Sequence, residues 1–306
     1  LSVVSQRMKR QLGMTSTTEQ AYFRWYARHI YTGRGQIVDL GCWLGSTTIS
    51  LATGLTENRH PAASLAKVHA YDNFIWNSSY DAIVASTALG GRYRAGQSFL
   101  DEFRRRIAPW KDRIEVHPAD LCHAAAEDGA IEFLLIDAMK SWDLANGIVR
   151  NFFPALMPGS SFILHQDFAH CYTPWIHLIH YRLRDCFEPV YDIPLSSSVV
   201  FRLRRDIPRE LLTPGYQPES FTTDEIESAF DYSLSIVCRD KRPNVVAAKI
   251  MHYIRSGDRS RAERELEKCR SQGLTFASDL SIVEARLATP APKSGKARGI
   301  EAVDSS

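Results

Sequence analysis

Two stretches of this chain combine residue types and spacings that suit chemistry. The first, Val38-Asp39-Leu40-Gly41-Cys42-Trp43-Leu44-Gly45, ends a short apolar run in a glycine-bounded turn. Glycines there let backbone pass close to a bound molecule. The second is Leu134-Leu135-Ile136-Asp137-Ala138-Met139-Lys140, joined further along by His165-Gln166-Asp167. Carboxylate, amine and imidazole around one crevice can orient a hydroxyl and take its proton, or hold an oxygen-loving divalent cation. Asp137, Lys140 and His165 are therefore the candidate catalytic residues, and Asp137 and Asp167 the candidate metal ligands. His170 lies in the same neighbourhood.

Residues this far apart need a scaffold that gathers them. Thr15 to Thr18 offer N-cap hydroxyls, Glu19 follows, and Ala21, Tyr22, Trp25, Tyr26 and His29 recur at helical spacing. Strands are expected at Gln36–Leu40, Lys67–Tyr71, Ile114–His117, Phe133–Ile136 and Phe162–His165. Helices are expected after the glycine turn and at Phe99–Ile107, Ala145–Phe153 and Trp175–Arg184. Such alternation means βαβ units and a parallel sheet covered on both faces. Glu188–Ile193 and Ser197–Leu203, joined through Pro194, read as a closing hairpin. The fold class expected is α/β: a doubly wound, mostly parallel seven-stranded sheet with a terminal antiparallel hairpin.

Prolines and a glycine at 208–217 mark a boundary. Residues 208–288 are expected as a small helical appendage: Thr222 and Glu225 have capping-box spacing, and Asn244–Arg255 with Arg259–Arg270 form a helical hairpin. Residues 289–306, rich in Pro, Gly, Ser and Lys, read as a disordered tail. Residues 1–207 then form the principal domain.

Composition narrows the function classes. The 306 residues are 44% hydrophobic and 24% charged, and 37 basic residues face 35 acidic ones for a net charge of +2. No bulk field draws in nucleic acid. The run Arg202, Arg204, Arg205 reads as a solvated strand end. The six cysteines show no zinc spacing, which suits reduced thiols in a cytoplasmic protein. No stretch has the length of a signal peptide core or a membrane span. The partner expected is a small molecule, with self-association left open.

In a doubly wound sheet a cofactor lies outside the carboxyl ends of the strands. Gly41 and Gly45 would approach it, Asp72 at the end of the second strand would accept from ribose hydroxyls, and Asp120 beyond the third strand would lie near an adenine ring. The G-x-G-x-x-G fingerprint of nicotinamide-binding domains is absent. Asp39, Gly41 and Gly45, with Asp72 following, instead resemble motif I and the acidic strand end of class I S-adenosylmethionine (SAM) dependent methyltransferases. The resemblance covers about Thr15 to Leu203. Asp137-x-x-Lys140 is similar to the pair in catechol-type O-methyltransferases, where the aspartate binds magnesium and the lysine is the base. With Tyr71-Asp72-Asn73-Phe74 it is also similar to macrocin-type sugar O-methyltransferases.

The resemblance implies SAM as cofactor, magnesium as an option, and methyl transfer to a hydroxyl of a sugar or glycosylated natural product. His165-Gln166-Asp167 departs from the family's fifth-strand acidic or amide pair by one residue, which leaves ligation by Asp167 open. N-methylation is the alternative, although an Asn-Pro-Pro-Tyr type of motif is missing after the fourth strand. A SAM-fold scaffold protein is the non-enzymatic alternative. The aromatic segments Phe74–Tyr80 and Tyr172–His177 could floor a ring-shaped acceptor.

Overall fold

A computed structural model describes residues 13–127, 129–213, 215–273 and 278–289. Helix α1 (Thr17–His29) starts at Ser16, whose hydroxyl caps Glu19 N while the Glu19 carboxylate returns to Ser16 N. Strand β1 (Gln36–Leu40) runs into the glycine turn and helix α2 (Ser46–Thr56). The chain continues through β2 (Val68–Asp72), the short α3 (Tyr80–Val84), α4 (Leu100–Ile107), β3 (Ile114–Pro118) and β4 (Ile131–Ile136). Helix α5 (Trp142–Phe152), capped by Ser141, leads to β5 (Phe162–His165) and α6 (Pro174–Leu183). Strands β6 (Phe187–Asp192) and β7 (Val199–Leu203) close the sheet.

The seven strands lie in the order β3-β2-β1-β4-β5-β7-β6. The first five are parallel, and β7 is antiparallel to both β5 and β6. This is the doubly wound, Rossmann-like α/β sheet with a terminal hairpin that the sequence pattern implies. Strand order reverses between β1 and β4, so a crevice opens outside their carboxyl ends.

Strand β4 lies centrally and every one of its residues is buried. That would leave the Glu132 carboxylate without solvent. The loop before β1 answers it: Thr32 N, Arg34 N and Gly35 N donate at 2.6, 2.7 and 3.3 Å, and Thr32 Oγ1 at 3.0 Å. A charged acceptor inside the sheet thus fixes the entry to the strand that carries the glycine turn.

One apolar layer packs Phe23, Tyr26, Ile49, Leu55 and Phe103 against one sheet face. The other packs α5 and α6 against the opposite face, and it does not stop at residue 207. It runs on through the short α7 (Arg209–Leu212), α8 (Thr223–Ile236), α9 (Arg242–Arg255), α10 (Arg259–Ser271) and α11 (Ser278–Ala288), taking in Phe230, Ile250, Leu266 and Val283. The C-terminal helices expected as an appendage therefore share the core of the sheet. Residues 1–12 and the 290–306 part of the expected tail lie outside the described residues. The arginine run is paired, Arg202 and Arg204 with Glu188 and Arg205 with Asp185.

Candidate functional site

The glycine turn takes a shape few side chains permit. Gly41 and Gly45 both have φ +86°, with Trp43 between them at φ 41°. Gly41 N donates to Tyr71 O at 2.9 Å, which presses the turn against the end of β2. A Cβ on Gly41 would stand 2.6 Å from Asp137 O. The glycine therefore holds β1 and β4 tightly together at the head of the crevice.

Asp39 is fully buried two residues before this turn. Its Oδ2 accepts from Thr47 Oγ1 at 2.7 Å and Thr48 Oγ1 at 2.6 Å, both on the first turn of α2. Its Oδ1 is buried without a protein partner. Burial raises the pKa to about 6, against the two hydroxyl bonds that pull it down. Thr47 and Thr48 were not singled out from sequence, although hydroxyls directly after a glycine turn are a usable signal. The chain leading into α1 lies over the same helix start, with Thr15 Oγ1 2.6 Å from Ser46 Oγ. There Gln20 Oε1 is a second buried acceptor without a partner, and Gln166 Oε1, just beyond β5, is a third.

At the end of β2, Asp72 accepts from Trp43 N at 2.9 Å and Phe74 N at 2.7 Å. Each oxygen keeps a further lone pair for a ligand. Burial raises the pKa, and the backbone N–H groups of Phe74, Trp43 and Asn73 hold it back. Asp120 is exposed beyond β3, where its carboxylate accepts from Cys122 N at 2.9 Å and lies 3.2 Å from His123 Nδ1. Tyr80 stands close by, its ring 5.1 Å from that of Trp43. Burial pushes its pKa up to about 12, with Asp72 and Asp137 adding to the effect, so its hydroxyl shares the field of both carboxylates. In the sequence Tyr80 marks only the end of the aromatic segment Phe74–Tyr80.

Past β4, Lys140 Nζ bonds Asp137 Oδ1 at 2.8 Å and contacts Asp167 Oδ2. The side chains of Asp137 and Asp167 are 15% and 17% exposed, and that of Lys140 is 42% exposed. Desolvation opposes the lysine's charge, yet the two carboxylates outweigh it and raise the pKa. This is the reverse of a lysine depressed by burial into a free base. For Asp137 desolvation dominates over Lys140 and raises the pKa. Asp167 is held low: desolvation acts upward, but Lys140 and then His170 overcome it. The three form a compact group with one surplus negative charge when fully ionised.

His165 makes no hydrogen bond to this group, although Asp167 lies near enough to favour its protonated form. Its ring is buried against Phe168, His180 and Phe201, and its Nδ1 has no partner. Burial drives the pKa down to about 4, so it is a neutral core histidine near pH 7. The aromatic segments also serve the core. Trp76 is buried with Nε1 on Asp81 at 2.8 Å, and Trp175 is buried with Nε1 on Met139 O at 2.7 Å and Arg255 over its ring.

No family model matches the chain, and no curated protein matches it. Solved structures with a similar course of chain include a methyltransferase from Geobacter sulfurreducens, at 15% identity over 65% of this chain and 84% of that one, with a TM-score of 0.39. The StiE O-MT segment is similar at 15% identity over 78% of this chain and 70% of that one, with a TM-score of 0.32. Coclaurine N-methyltransferase bound to N-methylheliamine and SAH is similar at 17% identity, over 78% and 64%, with a TM-score of 0.26. Likeness at this level bears on neither the cofactor nor the acceptor of the present chain.

Proposed function

We propose that this protein is a SAM-dependent methyltransferase that methylates a hydroxyl oxygen of a small molecule. The observation that carries the proposal is Asp39: a buried carboxylate with one oxygen unpartnered, set beside a glycine turn that backbone alone can occupy. A buried acceptor left unpaired is costly unless a ligand satisfies it. The ammonium of an amino-acid moiety suits it, and Gln20 and Gln166 offer further acceptors. Asp72 would take the ribose hydroxyls, with Asp120 towards the adenine.

When bound, SAM supplies an electrophilic methyl group on a sulfonium. The protein's part is to orient the acceptor and remove its proton. Asp137, whose proton affinity burial raises, is the carboxylate placed to take that proton. Lys140 stays charged and offsets the negative charge that develops on the acceptor oxygen. Asp167 holds Lys140 in place from the far side.

Magnesium fits the residues poorly as they stand. Both carboxylates expected to ligate it grip the Lys140 ammonium, and among the described residues no third carboxylate, imidazole or thiol joins them. Sugars or glycosylated natural products remain the preferred acceptors on the sequence resemblance, and the cytoplasm the preferred compartment. The test is transfer of labelled methyl from SAM to a panel of sugar and phenolic hydroxyl acceptors, with magnesium omitted, for the wild type and Asp137→Asn. We expect transfer without magnesium, cut by about 10²–10⁴ in the variant. Transfer only to amines, or equal rates in both proteins, would overturn the proposal.

A further inference from the structure

Away from the crevice, the pairing of β2 with β3 builds a second cluster of chemically active side chains. His69 lies three residues before Asp72 on β2, about 10 Å back along the strand. His117 is on the edge strand β3, aligned with Tyr71. The exposed carboxylate of Glu127, in the chain between β3 and β4, reaches both rings. His69 Nδ1 and His117 Nε2 are 3.2 Å apart, Glu127 Oε2 is 3.8 Å from His69 Nδ1, and Glu127 Oε1 is 3.4 Å from His117 Nδ1.

We propose that His69, His117 and Glu127 form a binding site for a divalent transition-metal ion of the zinc class, separate from the methyl-transfer crevice. Two imidazoles and a carboxylate are ligands that zinc accepts, with the fourth position left to water. Tetrahedral bonds of about 2.0–2.1 Å put neighbouring nitrogens about 3.3 Å apart, close to the separation already present. The rings are also set in advance. His117 stacks on Tyr71 at 4.2 Å and 12°, and its ring lies nearly parallel to that of His69, with centroids 5.3 Å apart and an interplanar angle of 14°. Tyr71 Oη accepts from Glu127 N at 3.3 Å and so anchors the carboxylate's backbone beside them.

Without a metal the three groups satisfy one another as a chain. His69 Nδ1–H donates to His117 Nε2, and His117 Nδ1–H donates towards Glu127. Shifting the His69 proton to its Nε2 frees both facing nitrogens with no net change in charge. Desolvation lowers the pKa of each histidine, which keeps lone pairs available near neutral pH. Bound metal would tie the chain that follows Asp120 to the edge of the sheet.

The test is a cobalt(II) titration of the full chain, stripped of metal beforehand and followed by visible absorption, with zinc(II) as competitor. We expect one equivalent bound with the intense bands of tetrahedral coordination, displaced by zinc. Glu127→Gln, a change at an exposed position, should weaken binding at least about 10-fold, and His117→Gln should abolish the bands. His170→Ala should leave them unchanged, which sets aside the grouping of His170, Cys171 and Asp279. The proposal is overturned by no cobalt uptake, by His170 dependence, or by equal affinity in Glu127→Gln. Should His117→Gln not fold, the Glu127→Gln result decides.

Discussion

Replacing Asp39 with asparagine should uncouple stability from pH and weaken cofactor binding in the same protein. The swap keeps shape, and an amide oxygen can still accept from Thr47 and Thr48. What it removes is a buried charge whose pKa stands at about 6 rather than 3.8. That displacement is worth roughly 3 kcal/mol. The sign follows from a folded-state pKa above the unfolded one. The carboxylate destabilises the fold above about pH 6, and the penalty disappears as pH falls below about 4.

Asparagine has no such titration, but it places a buried N–H₂ where Oδ1 was unpartnered, a loss of about 1–3 kcal/mol at every pH. The variant should therefore be less stable near pH 4 and gain roughly 3 kcal/mol on the wild type by pH 7. Urea unfolding of both proteins across this range measures the difference, in which contributions from the histidines cancel. Parallel stability curves would refute the burial argument. In the same variant, affinity for S-adenosylhomocysteine should fall about 10- to 100-fold through loss of a charge-assisted bond; unchanged affinity would remove Asp39 from the cofactor site.

Four further outcomes follow from the same contacts. Gly41→Ala must adopt φ +86° and push against Asp137 O, so a loss of about 2–5 kcal/mol is expected in denaturant unfolding. Glu132→Ala leaves the N–H groups of Thr32, Arg34 and Gly35 without their acceptor and should lower stability by about 2–4 kcal/mol in the same assay. His165→Phe should keep methyl transfer near the wild-type rate, whereas a catalytic role would show as a loss of about 10² or more. His165 and His177 are held neutral with pKa values near 4 and 3, below the ordinary 6.5. The unfolded chain then binds the extra protons, and stability should drop as pH falls from about 6.5 towards 4, a trend that His165→Phe should soften.

Much of the fold could be read from the chain because punctuation and apolar runs agree. Strands β1 and β5 begin and end where the sequence pattern places them, one stopped by Gly41 and the other preceded by Pro158-Gly159. Helix α11 was not anticipated. Its first-turn Asp279 is buried as the acceptor for Cys171 N at 2.7 Å, so its polarity points outward in a sequence reading and inward in the structure. The Asp137, Lys140 and Asp167 cluster was legible from strand ends. The burial of the His165 ring was not, since it depends on the turn at 166–169 that brings Asp167 to Lys140 while His165 stays in the strand. His69 and His117, 48 residues apart, meet only through the register of β2 against β3.

The central claim is that the turn from Asp39 to Gly45, together with Asp72, holds SAM. Calorimetric titration of S-adenosylhomocysteine into the wild type and Asp72→Ala tests it most directly. We expect one site of about micromolar affinity in the wild type, weakened at least about 10-fold in the variant. Absence of binding to the folded wild type, or equal affinity in the two proteins, would contradict it.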